Sequence, residues 1–169
     1  MVKKIIALGV LLVMCFGIFS GCNTGIWFKV GYGGEGGFGF KEEGESLNIS
    51  VLTIMNSLDE MKDLCEEWNN PAYQEDSEYF SSEISKKIRE YTEAYFEEKT
   101  LIVCSALEVS PAKSPRIKSI RTEEAKLIIN VRYDLKKGTF NDIATTWLFL
   151  IEVKKADIAG VETVQINEK

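Results

Sequence analysis

The stretch "TTWLFLIEVK", Thr145–Lys154, constrains this chain more than any other. Trp147, Phe149, Ile151 and Val153 form one apolar row, and Leu148 and Leu150 begin a second on the opposite side. Successive strand side chains point to opposite faces, so a strand that is apolar on both must be covered on both. Leu101-Ile102-Val103-Cys104 makes the same demand, four consecutive apolar residues suggesting a doubly buried strand. In contrast, Leu127, Ile129, Val131 and Tyr133 alternate with Lys126, Asn130 and Arg132, giving one buried and one mostly wet face. Strands are therefore predicted near Arg116–Arg121, Lys126–Asp134, Thr145–Lys154 and Val161–Asn167, with Gly138 turning the connection "DLKKGTFND".

Two helical patterns supply the cover. After a predicted strand at Leu47–Met55, Ser57 and Glu60 have the spacing of a capping box. Leu58, Met61, Cys65 and Trp68 then share one helical face, read as core, and Asn69-Asn70-Pro71 stops the helix. A second stripe runs through Phe80, Ile84, Ile88, Tyr91 and Tyr95, with Glu83, Lys86, Lys87, Arg89 and Glu90 toward water. The expected class is α+β: a mainly antiparallel sheet or open barrel in the C-terminal half with two amphipathic helices packed on one side. Residues 47–169 form that single domain, and a signal peptide (1–21) and a glycine-rich tether (22–46) precede it.

The N-terminus reads as a secretory signal. Lys3 and Lys4 precede an apolar run from Ile5 to Ile18, which ends in "FSGC", Phe19 to Cys22. "FSGC" resembles the lipobox of bacterial lipoproteins, with Phe19 where that family usually places leucine. The resemblance implies cleavage after Gly21, a diacylglyceryl thioether on Cys22, and residence on the extracytoplasmic face of a bacterial cell membrane. Two acyl chains suffice for stable anchoring. The alternative is an uncleaved anchor, since Ile5–Gly21 is at the lower limit for a spanning helix. Both place the rest of the chain outside the cytoplasm.

Within "VGYGGEGG", the glycines match the spacing of a dinucleotide-binding loop. That chemistry needs them between a strand end and a helix N-terminus, and no helix pattern begins at Gly36. Glycine at such density resists ordering, so 22–46 reads as a spacer. The interleaved Trp27, Phe28, Tyr32, Phe38 and Phe40 leave two other readings open: a hairpin of Ile26–Val30 against Phe38–Lys41, or rings resting on the membrane interface.

The formal charge of −6 becomes −8 once Lys3 and Lys4 leave with the signal. That balance offers no basic stripe for phosphates, and nucleic acid is excluded as a partner. With no histidine, the usual neutral-pH base and the commonest transition-metal ligand are missing. Glu42-Glu43-Glu45, Asp59-Glu60 and Glu66-Glu67 read as solvated charge, and no calcium-loop spacing occurs. No catalytic residue, metal or cofactor is assigned, and the chain is read as non-enzymatic. Cys65 and Cys104 are either small buried hydrophobes or a disulfide.

"YFEEKTLIV", "RIKSI", "AKLIINV" and "GTFNDIATTWLFLIEVKK", in that order over Tyr95–Lys155, resemble the PrcB-like proteins, surface lipoproteins named for a subunit that stabilises a protease complex. Here "EVSPAKSP" stands where a glycine-rich turn is expected. The resemblance implies a non-catalytic accessory or protein-binding role, possible partners including a surface protease. On the residues alone, an exposed sheet edge or the hairpin "LKKGTF" would carry it by strand addition. The alternative is a small-ligand-binding lipoprotein with a pocket between helices and sheet lined by Trp68, Tyr91 or Trp147.

Overall fold

The computed structural model describes residues 25–35, 38–40, 46–47, 51–138 and 145–168. Two doubly apolar strands form its centre, β5 (Lys99–Val109) and β8 (Thr145–Lys154), paired antiparallel with Ile102 opposite Ile151 and Cys104 opposite Phe149. On the far side of β8 lies β1 (Phe28–Glu35), and on the far side of β5 lies β4 (Leu52–Met55). The resulting sheet has the order β1-β8-β5-β4 and is antiparallel throughout. A second sheet joins β6 (Lys113–Glu123) antiparallel to β7 (Lys126–Leu135), and β7 parallel to β9 (Thr163–Glu168). The short strands β2 (Gly39–Phe40) and β3 (Ser46–Leu47) pair with each other.

Alternation along β5 and β8 creates two cores. Leu101, Val103, Leu148 and Leu150 face the helices, while Ile102, Cys104, Phe149, Ile151 and Val153 face Ile120, Leu127, Ile129 and Val131 of the second sheet. The order of layers is thus helices, four-stranded sheet, three-stranded sheet: an α+β arrangement of mostly antiparallel strands. The helices cover Leu148 and Leu150, as the second apolar row required.

Helix α1 (Leu58–Glu67) starts at the expected capping box: Glu60 N donates to Ser57 Oγ at 3.1 Å, and Asn56 N donates to Glu60 Oε2 at 2.7 Å. Asn69 turns into the left-handed region at φ 49° and ends it, a conformation asparagine tolerates. The second stripe divides into α2 (Glu83–Arg89) and α3 (Glu93–Glu98), so there are three described helices where two were expected. The division at Glu90–Thr92 has a packing reason. Phe96 stands off the Ile84–Ile88–Tyr91–Tyr95 stripe of a continuous helix, and the break brings it into the core. Tyr95 stays at the rim, edge-on to Tyr91 at 4.8 Å and to Phe96 at 5.0 Å.

Within the segment 22–46, residues 25–35, 38–40 and 46 are described. Phe28–Glu35 is a strand with β8 as partner, Phe28 opposite Val153 and Glu35 opposite Trp147, and among the described residues Gly39–Phe40 pair with Ser46–Leu47 rather than with Ile26–Val30. Phe38 is 0% exposed in the helix-side core. Its N–H donates to Ser105 Oγ at 3.3 Å, and its carbonyl accepts from Asn70 Nδ2 at 2.6 Å. Burying such a ring contributes about 1.5–3 kcal/mol, which a spacer would forgo. Gly31, Gly33 and Gly34 lie inside a strand, not between a strand end and the first turn of a helix.

Candidate functional site: an open seam between two sheets

The two sheets are joined at one corner and open at the other. At the closed corner the chain entering β1 bridges to β6, with Ile26 N donating to Ile120 O at 2.8 Å. At the opposite corner β4 and β9 are outermost in their sheets, and among the described residues no strand pairs with the outer edge of either. Their Cα atoms approach within 8 Å, whereas hydrogen-bonded neighbours lie at about 4.5–5.5 Å. The cleft between them encloses about 510 Å³, lined by Leu52, Thr53, Ile54 and Asn56 on one side and Val161–Val164 on the other.

Local sequence explains why this corner stays open. β4 is four residues long, and Leu52 and Ile54 reach toward the second core while Met55 reaches toward the helices. Chain direction then carries Asn56 away into the α1 cap, its Oδ1 accepting from Thr100 Oγ1 at 3.0 Å. On the other wall the chain arrives through the 3₁₀ turn Lys155–Ile158, and Ile158 anchors in the second core. The seam therefore presents half-buried Leu52, Ile54, Val161 and Val164 between two sheet edges. With Thr53, Asn56, Glu162 and Thr163 also in the lining, such a surface suits an extended backbone that offers both peptide groups and an apolar side chain.

A buried carboxylate lies elsewhere. Glu152 continues the Leu148–Leu150 row and is 5% exposed. Lys29 Nζ reaches its Oε1 at 3.4 Å, and Lys99 Nζ lies 3.8 Å from Oε2. Paired cations are what a buried carboxylate needs. Tyr91 and Tyr95 close the site, and burial, then the charge of Glu152, pushes both phenols well above their ordinary value. The enclosed Tyr91 hydroxyl, with no partner in hydrogen-bonding geometry, approaches the same point over Gly31 as Glu152 does. Protonated phenols and a carboxylate held by two ammoniums make a pin between β1, β5 and β8. Its sequence signal is a lone acid within the apolar run "WLFLIEVK", outside every cluster of charge.

The outer face of the second sheet collects basic residues that are scattered in the sequence. Lys118, Arg121 and Arg132 line a hollow of about 390 Å³ there with Ser119 and Asn130, and Arg121 pairs with Glu123 at 3.2 Å. Arg116 and Arg132 are directly opposite in register, an unfavourable pair. Asp134 bridges them, at 2.7 Å from Arg116 Nε and 2.6 Å from Arg132 Nη2.

Gly21 and Cys22 lie outside the described residues. Trp68 and Tyr91 belong to the helix-side core and Trp147 to the other, so the three cannot line one pocket. Phe38, Met61 and Ile88 fill the space between helices and sheet. Of "LKKGTF", Leu135–Gly138 is described, with Leu135 80% exposed. Cys65 and Cys104 lie in different cores and are not joined to each other. Among the described residues no three His, Cys, Asp or Glu side chains converge to hold a metal, and no helix is long and apolar enough to cross a membrane. No family model matches the chain, nor does any curated protein or solved structure.

Proposed function

We propose that this chain is a lipid-anchored extracytoplasmic binding module, non-catalytic, which holds an extended segment of another protein at the seam between β4 and β9. The observation that carries the reading is the pair of strand edges, unpartnered among the described residues, flanking a cleft of mixed polar and apolar lining. Two strand spacings need about 9.6 Å, more than the closest approach of β4 and β9, so the segment lies at the mouth rather than threading between them. Pairing runs along β9, whose six residues offer a longer edge than the four of β4. The anchor rests on Lys3, Lys4, the apolar run and "FSGC", and an accessory role accords with the PrcB-like resemblance over Tyr95–Lys155.

Photo-cross-linking side chains placed singly at Thr53, Thr163 and Glu66 in native membranes test this. Thr53 and Thr163 line the seam, while Glu66 is exposed on α1. One common adduct at the two seam positions and none at Glu66 is expected; equal labelling at all three, or none, refutes the seam as the binding edge.

A further inference from the structure

Ile26 is already held by β6 and Phe28 by β8, so the chain is part of the described fold from Ile26 onward. Only Asn23 and Thr24 separate the preceding Gly25 from Cys22. Three Cα–Cα steps reach about 11 Å at full extension, far less than the spacer expected for 22–46 would allow. Resting on the lipid-anchor reading above, this link is too short to lift the domain away from the bilayer. The corner that enters β1 must therefore be the part nearest the membrane.

That corner has the chemistry for such a position. Ile26 and Phe28 pack into the second core, and Trp27 between them is left 65% exposed. Tryptophan is favoured at the level of lipid headgroups, where its ring is half in and its N–H half out of the apolar layer. Ile120, the partner of Ile26, sits in β6 between Lys118 and Arg121, and Arg116 lies further along the same strand. Arg116 is held by Asp134 at 2.7 Å and Arg121 by Glu123 at 3.2 Å, while Lys118, in the lining of the outer hollow, has no ion pair among the described residues and is the cation left to meet phosphate. The seam is at the opposite edge of the four-stranded sheet, three strand spacings or about 14 Å across.

We infer that the Gly25–Phe28 corner and the cationic outer side of β6 rest on the phospholipid headgroups of the membrane holding Cys22, with Trp27 in the interface and the β4/β9 seam turned away. The orientation is fixed by the two-residue link together with Trp27, and the phosphate contact comes from Lys118.

Full-length acylated protein reconstituted into phosphatidylcholine vesicles, with and without phosphatidylglycerol, gives the test. Lipids brominated near the headgroup should quench part of the tryptophan emission. That part should vanish in Trp27→Phe, and Lys118→Glu should remove its increase with phosphatidylglycerol. Equal quenching in wild type and Trp27→Phe, or none in either, overturns the orientation; a phosphatidylglycerol effect unchanged by Lys118→Glu overturns the cationic contact. Cys22→Ala separates the two readings. If the diacylglyceryl label found on wild type persists in it, the thioether anchor is wrong whatever Trp27 does, whereas acylation with no Trp27 quenching leaves the anchor standing and removes the orientation.

Discussion

Replacing Gly31 with alanine is the sharpest question to put to this fold, because it separates a glycine-rich strand from a spacer. β1 changes register between Val30 and Tyr32, which brings the Gly31 backbone against the Glu152 pin. A methyl group there would overlap the Tyr91 hydroxyl and lie 2.6 Å from Glu152 Oε1 and 3.2 Å from Lys87 Cε. Lys87 can move aside. Tyr91 is hemmed in by Tyr95, and Glu152 is held by Lys29 and Lys99. Gly31 has no positive φ, so the penalty is one of space.

Overpacking of this kind costs about 1–3 kcal/mol. Reduced freedom of the unfolded chain returns about 0.4–1 kcal/mol. The net expectation is a loss of about 1–2 kcal/mol, read as a fall in Tm of roughly 3–6 °C for a domain of this size. Gly25→Ala is the control, since its added methyl would meet nothing closer than Ile120 O at 3.9 Å. Tyr91→Phe by itself should be nearly neutral or slightly stabilising, because it removes a buried hydroxyl that lacks a partner. Combined with Gly31→Ala it should recover part of the loss, a non-additivity that thermal melts of the four proteins in the cycle would measure. A Gly31→Ala protein as stable as wild type would mean that β1 does not pack on β8, and the fold described above would be wrong at that edge.

Two further outcomes follow from titrating groups. Burial pushes the Cys65 thiol and the Tyr73 phenol from ordinary values of 9.0 and 10.0 up to about 12. Above pH 9 the unfolded chain binds fewer protons than the folded one, so stability is complete below that pH and falls as pH rises toward about 12. Denaturation midpoints followed alongside tyrosinate absorbance should show the two changing together, and Cys65→Ala should remove the earliest part of the fall; a midpoint flat across this range would contradict the burial of both groups. Hydrogen bonding from Arg132, aided by its charge and that of Arg116, lowers the Asp134 pKa. Its contribution is present above the ordinary carboxyl range and lost as pH falls through the lowered value, so Asp134→Asn should be less stable than wild type at neutral pH and low salt. The two proteins should converge in acid or at high salt, and a difference that survives high salt would mean that Asp134 acts through packing.

The two central strands were legible because a run apolar on both faces has few places to go, and "LIVC" and "TTWLFLIEVK" have that property. The break between α2 and α3 was hidden because the period through Glu90–Thr92 is unbroken; what divides it is the room Phe96 finds in the core. β1 was hidden by its glycines. Gly33 lies under the Phe149 ring, where an added methyl would stand 2.9 Å from Cε1, and Gly31 lies under Tyr91 and Glu152. Side chains of neighbouring elements occupy the volume that β1 leaves empty, so its glycine content records close packing where composition suggested freedom. The basic face was lost in the whole-chain charge, because hairpin pairing of β6 with β7 is what collects Arg116, Lys118, Arg121 and Arg132. The seam had no local signature, since being an edge is a property of strand order.

These points change what an anchor at Cys22 would do mechanically. A spacer would let the body tumble and sample every orientation. Here a chain held at Cys22 enters at Gly25, bridges to β6 at Ile120, and continues as β1, paired to β8 along its length and pinned by Lys29 to Glu152. A pull on the anchor therefore loads the β1–β8 hydrogen bonds side by side, in parallel rather than one after another, and is delivered to the central sheet. The same sheet carries β4 at its far edge, so the direction of the anchor fixes the direction of the seam. A partner segment would then be met in one orientation relative to the membrane, which reduces the rotational freedom lost on association.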